Sequence, residues 1–175
     1  FPIIKLKRHQ SGMGIGCDRK KALWMVGLLL VLFSLVAKAG MPEAPAFFIS
    51  NLEDQRFWSR KVSDPIVISF FFVDCLVCRK EIPELYRFLK TRHPHVRLLF
   101  IDPLGTDTAS RIRELARVLN VPSACFYQDG LGTIALKYGV NNIFPTIIGI
   151  RQGRIVFRFN TLSAENRRLM ADQLN

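Results

Sequence analysis

The chain has 175 residues, enough for one globular domain with a real core and too few for two comfortable ones. At 49% hydrophobic and 22% charged residues it is too apolar and too sparsely charged to be a disordered chain. The net charge of +11 invites a nucleic-acid or acidic-surface reading, but seven basic side chains within residues 1–39 face only Asp18 there. That segment carries +6, leaving +5 scattered over the other 136 residues, so no nucleic-acid partner is expected.

Residues 1–39 read as a leader. Arg19, Lys20 and Lys21 precede an apolar run from Ala22 to Phe33 that continues past Ser34 to Ala37, followed by Ala37-Lys38-Ala39-Gly40. A basic start, an apolar stretch of about 15 residues and a small-x-small site describe a secretory signal peptide. A span needs roughly 20 apolar residues, and about 17 at the short end, so an uncleaved membrane anchor remains the alternative. Either way the positive flank stays inside and the rest is exported, to the periplasm or the outer face of the inner membrane. The natural start is expected at Met13 or upstream of Phe1, and Cys17 precedes the apolar run, where a lipoprotein cysteine would follow it.

Residues 40–46, with Pro42 and Pro45, read as a linker to a domain over 47–175. In that domain Phe47 to Phe57 suggests a short hairpin or edge strand. Ile66 to Val73, apolar, β-branched and aromatic, reads as a strand buried on both faces. From Cys75 the period changes: Val77, Ile82, Leu85, Phe88 and Leu89 mark a helix ending near His93-Pro94. A second buried strand is expected over 96–101, a helix over 108–119, and a short strand over 123–127 that would bury Cys125 as an inert thiol. After the Asp129-Gly130 turn comes a short helix over 131–138, stopped by Gly139. Strands over 146–150 and 155–159 flank Gln152-Gly153, a hairpin signal. Ser163 opens a last helix with Leu169, Met170 and Leu174 facing inward. The order predicts an α/β fold with a central mixed sheet flanked by helices.

Cys75-Leu76-Val77-Cys78 falls where the buried strand gives way to the helix. Unpaired N–H groups and the dipole at a helix start stabilise a thiolate, the species that attacks disulfides. Cys75 would be the exposed attacking sulfur and Cys78, one turn in, the resolving one. Zinc would need two further ligands, and no second Cys-x-x-Cys exists, so neither metal nor cofactor is expected. A purely structural disulfide is the bland alternative. His93 and His95 lie at the far end of the helix.

The run Cys75 to Leu85, Cys-Leu-Val-Cys-Arg-Lys-Glu-Ile-Pro-Glu-Leu, resembles the active-site helix of the TlpA, ResA and CcmG group of thioredoxin-like proteins. Pro83 matches the helix proline, Tyr127 to Val140 the segment before the cis-proline, Phe144-Pro145-Thr146 the cis-proline loop, and 149–158 the terminal hairpin. The resemblance covers nearly all of 47–175. It implies a thioredoxin-like fold, a cis Pro145, and a Phe144 whose backbone binds extended substrate beside Cys75, with Thr146 adjoining. It also implies that Glu81, three after Cys78, acts as an acid near the pair. Leu76 and Val77 replace the family's polar or proline residues and would make an apolar docking surface. Phe72-Val73-Asp74 stands where a Trp is common, and Ser69 where thioredoxins bury an acid.

The expectation is therefore an exported thiol-disulfide oxidoreductase that reduces oxidised envelope proteins, as group members reduce apocytochrome c with electrons from a membrane thiol reductant. A thiol oxidase or isomerase, or a Cu(I)-binding thioredoxin-like module, is the alternative.

Overall fold

A computed structural model describes residues 41–175. The leader of residues 1–39, with its signal or anchor segment, Met13 and Cys17, lies outside the described residues, as does Gly40. No helix among the described residues is long and apolar enough to cross a membrane.

Strands β1 (Phe48–Ser50) and β2 (Arg56–Trp58) pair antiparallel as the expected short hairpin. Then follow β3 (Ile66–Phe70), α1 (Leu76–Arg92), β4 (Arg97–Asp102), α2 (Ala109–Val118), β5 (Phe126–Gln128), α3 (Thr133–Lys137), β6 (Thr146–Arg151), β7 (Arg154–Phe159) and α4 (Ala164–Leu174). The main sheet has the order β5-β4-β3-β6-β7. β3, β4 and β5 run parallel, joined by crossovers through α1 and α2, while β6 and β7 run antiparallel to their neighbours.

Both faces of β3 are covered, which is why its sequence is apolar without alternation. Ile66, Ile68 and Phe70 turn to a cluster with Phe47, Ile49, Leu99, Ile101, Ile134, Tyr138 and Ile148. Val67 and Phe71 turn the other way, to Cys78, Ile82, Leu85, Phe100, Ile112, Phe126, Met170 and Leu174, so that α1, α2 and α4 cover this face. Gln152 and Gly153 take left-handed backbone in the tight β6–β7 turn, as the dipeptide suggested. Gly149 sits under the Phe157 ring, where a Cβ would lie 2.1 Å from ring carbon Cε1.

Four expectations change. The strand expected to reach Val73 ends at Phe70, freeing residues 71–74 as a loop. Ser123–Cys125 is a 3-10 turn rather than a strand, because Pro122 breaks the approach, and it leaves Cys125 half-buried outside the sheet. Leu169 is exposed, since Met170 and Leu174, four apart, already form the inward stripe of α4. Finally, the segment read as a linker is bound to the domain. Ala44 donates its N–H to Gly153, Ile155 donates to Pro42, and the Tyr138 hydroxyl donates to Pro45.

Candidate active site

Because β3, β4 and β5 are parallel and β6 is antiparallel to β3, one edge of the sheet collects the ends of β3, β4 and β5 and the start of β6. The loop 71–75, the loop after Asp102 and the Phe144-Pro145 peptide therefore meet at one edge.

Cys75 is the N-cap of α1, and its Sγ accepts the N–H of Cys78 at 3.1 Å. The helix start thus points a backbone donor at this sulfur, and no acid occupies the first turn to oppose its charge. The two cysteines are joined as a disulfide, with Cα atoms 5.2 Å apart. Cys75 is 6% exposed and Cys78 fully buried. Cys75 is thus recessed rather than exposed as expected, because it belongs to the buried cluster, against which the partly buried Phe72 and Phe144 also pack. Those two rings meet edge to face with centroids 5.4 Å apart. Leu76 (80%) and Val77 (52%) stand out into solvent as a small apolar surface beside it.

The Phe144–Pro145 peptide is cis. Thr146 is buried, and its hydroxyl donates to the Ile143 carbonyl at 2.6 Å, bracing the loop from inside. Glu81 is half-buried on α1. Its Oε1 accepts the Thr161 hydroxyl at 2.7 Å, while Oε2 is buried with no hydrogen-bond partner among the described residues. His93 caps the opposite end of α1 from the cysteines. Burial holds the Cys125 thiol protonated to higher pH than an ordinary thiol, with Lys90 opposing weakly.

The structure also brings in residues to which the sequence assigned no role. Buried Asp107 accepts the Val73 N–H at 3.0 Å and binds the Arg111 guanidinium. Arg111 in turn grips both oxygens of Asp74, at 3.0 and 2.9 Å. Asp102, at the end of β4, is fully buried; its Oδ1 accepts the Leu104 N–H at 2.9 Å. Burial above all raises its carboxyl to about 7, against the Leu104 N–H and with help from the Asp107 charge. An acid directly after the apolar run Leu98–Ile101 was the available signal for Asp102. Nothing in the spacing of Asp74, Asp107 and Arg111 connects residues from two separate segments.

No family model and no curated protein matches the chain. Solved structures do. A secreted disulfide oxidoreductase of Mycobacterium tuberculosis, homologous to DsbE of E. coli, superposes with a TM-score of 0.60 at 19% identity, covering 73% of this chain and 93% of that one. A thioredoxin-family thiol:disulfide interchange protein of Chlorobium tepidum gives 0.65 at 17%, over 77% and 97%. StoA of Bacillus subtilis gives 0.63 at 15%, over 75% and 98%. The chain has the thioredoxin fold of these proteins, with a Cys-x-x-Cys pair at the start of its first long helix.

Proposed function

We propose that the chain is an exported protein thiol-disulfide oxidoreductase acting through Cys75 and Cys78. The observation that carries this reading is the placement of a bonded Cys-x-x-Cys pair at a helix N-terminus, with the outer sulfur accepting a backbone N–H. In the reducing direction the Cys75 thiolate attacks a substrate disulfide, and the S–S bond breaks to leave one substrate thiolate and a mixed disulfide. The Cys78 thiolate then attacks Cys75 Sγ, releasing the second substrate thiolate. Two electrons pass to the substrate, its thiolates take up protons, and the Cys75–Cys78 disulfide forms. A dithiol donor resets it.

The substrate is proposed to be an oxidised envelope protein, apocytochrome c among them, and the donor a thiol reductant of the membrane. Phe144 and Pro145 would receive an extended substrate segment, with Thr146 holding their loop and Leu76 and Val77 meeting apolar side chains. The secreted M. tuberculosis neighbour and the basic-then-apolar leader support export. Full-length protein equilibrated with glutathione buffers should interchange its disulfide reversibly, and in reduced form should cleave the disulfides of a model protein such as insulin. A disulfide inert to glutathione would leave only a structural bridge. A reporter fused after residue 45 that works only outside the cytoplasm should be active, and an inactive fusion would remove the envelope assignment.

Glu81 is proposed to oppose charge on the pair from along α1. Glu81→Gln keeps the shape and the Thr161 contact but removes the charge. The thiolate absorbance of the reduced pair should then titrate at lower pH, as a property of the coupled pair. Overlaid curves would make Glu81 a structural partner of Thr161 alone.

A further inference from the structure

The segment 71–75 carries the attacking sulfur and leaves the sheet at Phe70, although Phe71 still donates its N–H to Ile101 and Cys75 donates to Phe72. Val73 and Asp74, between these, are held from the β4–α2 connection and from α2. Asp107 is buried, and a buried carboxylate must be matched by donors. It has two, the Val73 N–H and Arg111, and its own backbone carbonyl accepts from the Gln128 side chain. Arg111 is thereby fixed through Nη1, and its Nη2 reaches Asp74, the residue next to Cys75, donating to both carboxylate oxygens. Asp74 is 68% exposed and Arg111 45%, so the pair alone would contribute little to stability. Its placement matters for another reason. A carboxylate one residue from the nucleophile disfavours thiolate, and a guanidinium locked onto that carboxylate cancels the effect. The other charged groups around Arg111 are Arg79 on α1, Glu114 on α2 and Asp102 on β4. Glu114 is occupied by Arg117.

We propose that Arg111, pinned by buried Asp107, is a positioning residue that holds the Asp74–Cys75 segment and sets the thiolate affinity of Cys75. The effect rests on dithiol exchange at Cys75. Neutralising either partner of the ion pair should therefore move the redox equilibrium in opposite directions. Arg111→Gln leaves the Asp74 charge uncompensated, disfavours the thiolate and favours the disulfide. Asp74→Asn removes that charge and favours the dithiol. The full-length chain and its variants would be equilibrated with glutathione at pH 7, with melting followed in parallel. A shift of at least threefold is expected in each direction, about 14 mV at two electrons. Arg111→Lys, which keeps a charge but cannot span Asp107 and Asp74 at once, should shift the constant in the same direction as Arg111→Gln and by less. Shifts of the same sign for Arg111→Gln and Asp74→Asn, or unchanged constants with lowered melting, would reduce the contact to a structural ion pair. Failure of the unaltered protein to exchange at all would instead overturn the oxidoreductase reading, so the two failures are told apart.

Discussion

Replacing Cys78 by Ala is expected to stop the reaction halfway, with Cys75 joined covalently to its substrates. Cys78 is fully buried in the core, and its N–H is donated to Cys75 Sγ. No substrate sulfur can reach it first, so its part is to attack the mixed disulfide from within the helix. Ala fills most of its space and leaves α1 intact. Without the internal attack, release depends on an outside thiol, and loss of turnover by several orders of magnitude is expected, because the intramolecular thiol acts at an effective concentration no solution thiol matches. Non-reducing gels of envelope extracts should show adducts that dithiothreitol removes, and the double variant lacking Cys75 as well should show none. Adducts formed by Cys75→Ala instead would reverse the two roles. Cys125 does not blur the outcome, since it is half-buried and its thiol is held protonated by burial.

How much of this was legible depended on whether the signal was local. The β3 run, the Cys-x-x-Cys at the strand-to-helix switch, the Gln152-Gly153 turn and the Ser163 cap, whose hydroxyl accepts the Asn166 N–H, are each decided by neighbouring residues, and each was readable. Cys125 was misread because Ser123 to Tyr127 has the apolar content of a strand, while Pro122 and a one-turn 3-10 helix decide where pairing starts. The burial of Cys75 was hidden because its cluster is assembled from residues far along the chain, such as Ile112, Phe126 and Met170. The same limit hid the Asp74–Arg111–Asp107 chain. Ser69 leaves its strand without a buried acid, and the sequence did not say that the neighbouring strand ends in one. Asp102 lies two residues after Phe100 on β4, and Phe100 faces the side of the sheet that α1 covers.

Replacing Asp102 by Asn is expected to stabilise the protein increasingly as pH rises from about 4 to 7. In the unfolded chain an aspartate loses its proton near 3.9. In the fold, burial first and the Asp107 charge next keep it protonated up to about 7. Between these values the folded state binds one proton more than the unfolded state, so stability falls as pH rises, at up to about 1.4 kcal/mol per unit. The loss is complete just above pH 7, and its ceiling is about 4 kcal/mol for a shift of roughly three units. Below pH 4 both states are protonated and the term vanishes. Asn cannot ionise, and its carbonyl can still accept the Leu104 N–H while its amide faces the Asp107 side. Urea denaturation of the oxidised wild type and variant across pH 4–9 should therefore give curves that diverge between pH 4 and 7 and run parallel above. Curves parallel throughout would mean that Asp102 titrates as an ordinary carboxylate. Because Asp107 holds the Val73 N–H, the second negative charge that appears beside it above pH 7 bears directly on the loop carrying Cys75. The wild-type loop should then exchange its Val73 amide hydrogen faster, relative to the core of β3, at pH 8 than at pH 6, after correction for intrinsic rates, and the Asn variant should not.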